Sequence, residues 1–302
     1  MLTRKSLVRT AQVLCMGTAT ALVPIALATP ASAAPLPVMC SEAALHGAID
    51  AANNSPGSDT LNLAPRCTYL LYTELPPITS PIVINGNGDT IASVPGTFRI
   101  LTVDGGSLTL AAATLTNGDA TGSSIRQGEG GAIVVTDHGS LSLARTLIAK
   151  NRADFGGGVS VFGDSQAQVT RSVFTGNTAG VNGGALTSDG NTTVRSSHFS
   201  ENTAGNVGGA IANTGMLTVN GSTLLNNTAP NGGGGLANEV TAAPGGTSTV
   251  SGSVISGNSA DGVDPGGIYN DAGTVTLRAS VVIRNTPNNC LNSPSPVPDC
   301  RN

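Results

Sequence analysis

The chain has 302 residues, 14 basic and 18 acidic, with a net charge of −4, 40 glycines, no tryptophan and 3% aromatic residues. An acidic balance without basic clusters excludes phosphate-backbone binding to nucleic acid and a polybasic membrane patch. Many glycines among few aromatic residues indicate a regular, punctuated structure rather than an ordinary globular core.

The first segment reads as a targeting signal. Met1 to Arg9 carries Arg4, Lys5 and Arg9, an apolar stretch follows from Ala11 to Ala28, and Ala31-Ser32-Ala33 gives a small-residue cleavage pattern. A cleaved signal peptide over residues 1–33 and a single domain over 34–302 are expected. Gly17, Thr18, Thr20 and Pro24 interrupt the apolar stretch, which argues against a membrane anchor. Cleavage leaves Lys150 as the sole lysine and makes the remainder more acidic. The expected location is secreted or extracellular, including association with a cell surface, and not integral to a membrane.

Cys15 leaves with the leader and lacks the small residues that precede a lipidated cysteine. Cys40, Cys67, Cys290 and Cys300 remain, an even number that suggests disulfides outside the cell. Of the three connectivities, Cys40–Cys67 and Cys290–Cys300 are favoured because each pair sits at one end of the chain. Each loop would contribute roughly 3 kcal/mol. A zinc site has little support, with no Cys-x-x-Cys and only His46, His138 and His198 to draw on.

Ser41 to Asn53 reads as a short amphipathic helix, with Leu45, Ala48, Ile49 and Ala52 at helical spacing and Ser41 as N-cap. It is expected to plug one end of the structure, tied by Cys40–Cys67. Strands are expected near Tyr69–Leu71, Ile82–Ile84 and Phe98–Val103, with Asn85-Gly86-Asn87-Gly88 as a turn. The domain thus divides into an N-terminal cap and first coil over 34–80, coils over 81–285 and a C-terminal cap over 286–302.

One line then recurs, Gly-x-apolar-x-apolar-x-x-small-x-apolar-x-x-Asn. Its copies begin at Gly106, Gly139, Ser165, Gly190, Gly215, Gly246 and Gly273. The period is roughly 26 residues, with insertions at 118–130 and 240–245. Apolar residues alternate within each copy, which is the period of a strand. The runs are short and bounded by Gly, Asn, Asp and Ser. If each copy is one coil, like positions stack at the inter-strand spacing of about 4.8 Å.

Stacking then aligns three rows. Leu110, Leu143, Val169, Val194, Val219, Val250 and Leu277 make one apolar ladder, and Leu115, Ile148, Phe174, Phe199, Leu224, Ile255 and Val282 another. Thr146, Ser172, Ser197, Ser222, Ser253 and Ser280 lie between them. Asn151, Asn177, Asn202, Asn227, Asn258 and Asn285 form a structural asparagine ladder whose amides bond along the axis. Glycine pairs beginning at Gly130, Gly157, Gly183, Gly208, Gly234 and Gly266 recur once per coil, so they mark sharp turns rather than a phosphate loop. The expected fold class is an all-β parallel β-helix, a solenoid with a short N-terminal capping helix.

Two motifs make a resemblance specific. Phe174 to Asn177 and Phe199 to Asn202 read FxxN, while Gly130–Ile133, Gly183–Leu186 and Gly208–Ile211 read GGA[IL]. These alternating tetrapeptides resemble the repeats of polymorphic outer membrane proteins and the wider group of secreted right-handed parallel β-helix repeat proteins, over about Ile82 to Asn285. The resemblance implies a right-handed parallel coil. The C-terminal membrane barrel of the outer-membrane members has no counterpart in this sequence.

Catalytic groups are sparse. The Asp-Asp, Gly-His-Gly and Arg-x-Lys sets of β-helix pectin hydrolases are missing, and Asp137, Asp154, Asp164, Asp189, Glu201, Asp261, Asp264 and Asp271 are scattered. Two local groups of titratable residues stand out by spacing. Arg126, Glu129, Asp137, His138, Lys150, Arg152 and Asp154 surround the first insertion, where a solvated edge competes with an active site. Arg145, Arg171 and Arg195, with His198, recur at nearly equivalent positions and read as a solubilising row that also suits an acidic ligand. No catalytic, cofactor-binding or metal-binding residue is assigned and no cofactor is expected; no calcium nonapeptide occurs. The expected function is a non-catalytic extracellular binding, adhesin-like or structural protein whose partner is a surface glycan or protein. The alternative is a secreted lyase or glycoside hydrolase acting on an acidic polysaccharide.

Overall fold

The computed structural model describes residues 35–94, 98–122, 128–238 and 245–302; the expected leader, Arg126 and most of the second insertion lie outside the described residues. The described chain winds as a parallel β-solenoid of about nine turns, roughly 26 residues per turn, with one helix near its start.

Short strands cannot satisfy their own backbone, so each pairs in parallel with its counterparts one coil away. Gln166–Thr170 lies between Ser140–Ala144 and Asn191–Arg195 in unbroken register. The walls are a 17-stranded sheet that merges two neighbouring strand positions, a seven-stranded sheet and a three-stranded sheet. A residue in the left-handed region makes the bend inside the largest sheet: Arg145, Arg171, Ser196, Gly221 and Gly252 have φ of 53°, 50°, 49°, 55° and 55°.

The interior follows from alternation. Leu110, Leu143, Val169, Val194, Val219, Val250 and Leu277 stack in register and are buried. The second row runs from Leu115 to Val282, with Phe174 stacked on Phe199 at 4.6 Å between ring centroids. Burying such a side chain stabilises by about 1.5–3 kcal/mol, and only a neighbouring coil supplies the partner surface.

Polar rows close the corners. The Oδ1 of Asn202 accepts from the backbone N–H and the Nδ2 of Asn177, at 3.0 and 2.9 Å. Its own Nδ2 donates to Phe174 O and to Asn227 Oδ1, at 3.1 and 2.9 Å. The same acceptor pattern runs from Asn151 to Asn285 and ends on Asn289 Oδ1. In the serine row each hydroxyl accepts the backbone N–H one coil back, as Ser197 Oγ does from Ser172 N at 3.1 Å. A second amide row, Asn213 to Asn238 to Asn270, was not anticipated from the repeat.

Helix Glu42–Asn53 lies at the N-terminal end, with Ser41 Oγ accepting from Ala44 N at 3.2 Å and Leu45, Ile49 and Ala52 buried. Glu42 Oε1 accepts from the amides of Tyr72 and Thr73, fastening the helix to the first coil. Disulfides join Cys40 to Cys67 and Cys290 to Cys300. At the far end Asn302 Oδ1 accepts from the amides of Asn289, Cys290 and Leu291 at 3.0, 2.8 and 3.2 Å. Two local expectations differ. Asn85–Gly88 is not a separate turn but a bulge inside strand Pro81–Ser93, with φ of 51° at Asn87 and 84° at Gly88. The strand expected at Phe98–Val103 is Leu101–Asp104, because Arg99 turns its guanidinium onto neighbouring carbonyls. Among the described residues no helix is long and apolar enough to cross a membrane.

Asn202→Ala removes the acceptor for two buried donors and the donor for two buried acceptors. The expected loss is about 2–4 kcal/mol in urea unfolding, against about 0.5 kcal/mol or less for Thr218→Ala on the outer face. Equal effects for the two variants would show that the amide row is not structural.

Candidate functional site

Two surfaces stand out from the coil's structural demands. The first is the outer face of the longest run of strands. Alternation turns Ser142, Gln168, Thr193, Thr218, Thr249 and Thr276 outward in one register row. Ser140, Gln166, Asn191, Met216, Thr247 and Thr274 form the adjacent row. Both rows are free of charge. A shallow depression of about 210 Å³ lies over Ser140, Ser142, Gln166, Gln168, Asn191 and Thr193.

The second is a small acidic pocket on the seven-stranded side, with a volume of about 110 Å³. Glu129 precedes Gly130, whose φ of 61° and contact with Ile133 O leave no room for a Cβ. That turn directs Glu129 over the sheet, where Ser160 Oγ donates to its Oε2 at 2.5 Å. Glu129 bridges in register to Phe155, and Phe155 to Asn182. Strand Leu186–Ser188 brings Thr187 into the pocket, and Asp189 Oδ1 accepts from Thr214 Oγ1 at 2.6 Å.

Arg99, 1% exposed, underpins the pocket. Its Nε and Nη2 donate to Glu129 O at 2.9 and 2.6 Å, and its Nη1 lies 3.5 Å from Glu74 Oε1. Burial is the chief reason that the Glu129 carboxyl is pushed up to about 7, with the charges of Asp189 and Asp154 adding to it. The Ser160 hydrogen bond and Arg99 pull the other way without cancelling the rise.

The two groups chosen from spacing are only partly assembled. Of the first, Glu129 and Asp154 come together: a Cβ on the intervening Gly128 would stand 2.1 Å from Asp154 Oδ2. His138 lies apart, 86% exposed and 3.6 Å from Asp164 Oδ2, and Lys150 and Arg152 are exposed. In the arginine row, Arg145 and Arg171 hold the same left-handed bend position, which Ser196 takes in the next coil. Arg195 is instead the last residue of strand Asn191–Arg195 and pairs with Thr170. His198 Nδ1 shares a hydrogen bond with Thr223 Oγ1. Glu74, Arg99, Ser160, Asn182 and Thr187 were missed. The available signal was positional: Glu129 stands before the turn glycine where later coils carry Phe155, Asn182 and Val207.

Because the folded chain holds the Glu129 proton above its ordinary 4.5, its favourable contribution is present below about pH 4.5 and is lost as pH rises through about 7. Glu129→Gln is therefore expected to gain stability on the parent chain between about pH 5 and 8, and not below. Unfolding midpoints that stay parallel across that range would contradict the burial of this carboxyl.

A family model described as a right handed beta helix region matches residues 110–289. No curated protein sequence matches the chain. Among solved structures the chain is similar to an alginate lyase from Paenibacillus sp. str. FPU-7, at 16% identity over 80% of this chain and 97% of that one. The TM-score of 0.43 is too low to carry anything over from that enzyme. The family match spans more than half of the chain and coincides with the parallel coils, their register rows and their turn glycines, so the chain belongs to the right-handed β-helix family.

Proposed function

We propose that this chain is a secreted, non-catalytic β-helix protein with an extracellular, adhesin-like binding role, and that the two uncharged outward rows of its largest sheet meet the ligand. One observation carries the reading: the row through Ser142–Thr276 presents a hydroxyl or amide in every coil, and the row through Ser140–Thr274 does so in every coil except at Met216. The steps are about 4.8 Å, so a ligand with its own repeat makes equivalent contacts in successive coils. Hydroxyls and amides both donate and accept, which suits a neutral glycan. Each such bond is worth about 0.5–1.5 kcal/mol, so strength comes from number. The small-residue pattern at Ala31-Ser32-Ala33 and the two disulfides support the extracellular part.

The rival reading, a polysaccharide lyase or hydrolase, has Glu129 in its favour, a buried carboxyl poised near neutral pH. Against an acidic substrate stand Asp154 and Asp189 beside it. Arg99, the neighbouring cation, is engaged with the carbonyl of Glu129 and with Glu74.

A glycan array probed with the mature chain is expected to retain neutral repeating glycans. The double variant Gln168→Lys, Thr193→Lys should weaken that binding by roughly tenfold or more, the loss of two or three hydrogen bonds, with unfolding unchanged. An array without binding, or binding indifferent to the double variant, removes this reading. Release of reducing or unsaturated ends that disappears in Glu129→Gln would establish the rival.

A further inference from the structure

The outward rows depart from their own pattern in one stretch. In the row from Ser140 to Thr274, Gln166, Asn191 and Met216 occupy three successive coils in register. The coils before and after carry Ser140, Thr247 and Thr274 at this position, so a hydroxyl residue serves the fold there equally well. Gln168 lies two residues beyond Gln166 on the same strand and points out beside it. Gln166, Gln168 and Asn191 are exposed, and their carboxamides make no hydrogen bond to the described chain. Met216 is 62% exposed and stands one strand spacing from Asn191, about 4.8 Å. The depression of about 210 Å³ lies among Ser140, Ser142, Gln166, Gln168, Asn191 and Thr193, and Met216 follows Asn191 in the next coil.

We propose that this stretch recognises an acetamido group, so that the face prefers a glycan built from N-acetylated amino sugars. The inference rests on the glycan reading above and names the class of sugar within it. An acetamido group presents a methyl, a carbonyl and an N–H in that order. The row presents, in the same order, the Met216 thioether, the Asn191 carboxamide and the Gln166 carboxamide. The methyl rests on Met216, whose flexible apolar side chain moulds to it. Asn191 Nδ2 donates to the acetyl carbonyl, and Gln166 Oε1 accepts from the N–H. A carboxamide suits both tasks because it carries an acceptor oxygen and two donor hydrogens. Gln168, Ser142 and Thr193, in the adjacent row of the same depression, are left for the ring hydroxyls.

Two related sugars fit less well. A plain hexose puts a hydroxyl where the acetamido group would lie, and Met216 then gains no apolar partner. An amino sugar without its acetyl group carries an ammonium, and neither row holds a carboxylate to receive it.

The test is titration calorimetry of the full mature chain with N-acetylchitohexaose and with cellohexaose, which has the same linkage and a hydroxyl in place of each acetamido group. The acetylated hexamer is expected to bind roughly tenfold tighter or more, the combined effect of two hydrogen bonds and a buried methyl. Asn191→Ser together with Met216→Thr installs the hydroxyl residues that other coils carry. That double variant should bring the two affinities to within about twofold of each other, with the unfolding midpoint unchanged. Equal affinity for the two hexamers in the parent chain, a preference kept by the double variant, or binding of neither hexamer would each overturn the inference. The array separates its failure from that of the glycan reading. Neutral glycans retained without regard to acetylation remove the acetamido preference alone, whereas a blank array removes both.

Discussion

Everything else in this protein hangs on the buried asparagine row. From Asn177 onward each Oδ1 takes two hydrogen bonds from the coil before it, and each Nδ2 returns one to that strand's carbonyl and one onward, as at Asn202. A corner with irregular backbone inside a dry core would otherwise strand polar groups, at several kcal/mol for each coil. Because the same bonds link successive coils, they also fix the register at which apolar rows stack. The row ends on Asn289, next to amides that Asn302 satisfies, so the tail completes the chain of hydrogen bonds as well as covering an open end.

Once register is fixed, the outside is free to vary. The two inward rows from Leu110 to Leu277 and from Leu115 to Val282 keep Leu, Val, Ile or Phe through every coil, whereas outward positions change from Ser140 to Gln166 to Asn191 without disturbing a pairing. A solenoid thus separates stability from recognition: rows repeat a contact, and local departures build a site. The uncharged face uses the first device. The pocket at Glu129 uses the second, gathering unlike residues from neighbouring coils.

Electrostatics divides these surfaces further. The two outward rows of the candidate binding face are neutral, so their own interactions are short-range, while Arg195 and Arg278 stand at the strand ends beside them. The pocket concentrates acidic groups around a buried hydroxyl, and its counter-charge, Arg99, reaches it by way of a backbone carbonyl. A carboxyl so placed is held near its proton by burial rather than by a partner. That environment disfavours the polyanion of the rival enzymatic reading.

The sequence by itself determined the coil, its period and its inward rows, because strand alternation and the recurring Asn each require a fixed residue at a fixed interval. It also determined the capping helix, since Ser41 and the spacing of Leu45, Ile49 and Ala52 are local signals. The bulge at Asn85–Gly88 and the row from Asn213 to Asn270 escaped notice because both depend on what lies in the adjoining coil. Only the tertiary structure decided the site. Glu74, Arg99, Glu129, Ser160 and the Thr187–Asp189 pair come from successive coils, each about a coil apart along the chain. They meet because winding places like positions one strand spacing apart, and their departures from the repeat carry no periodic signal.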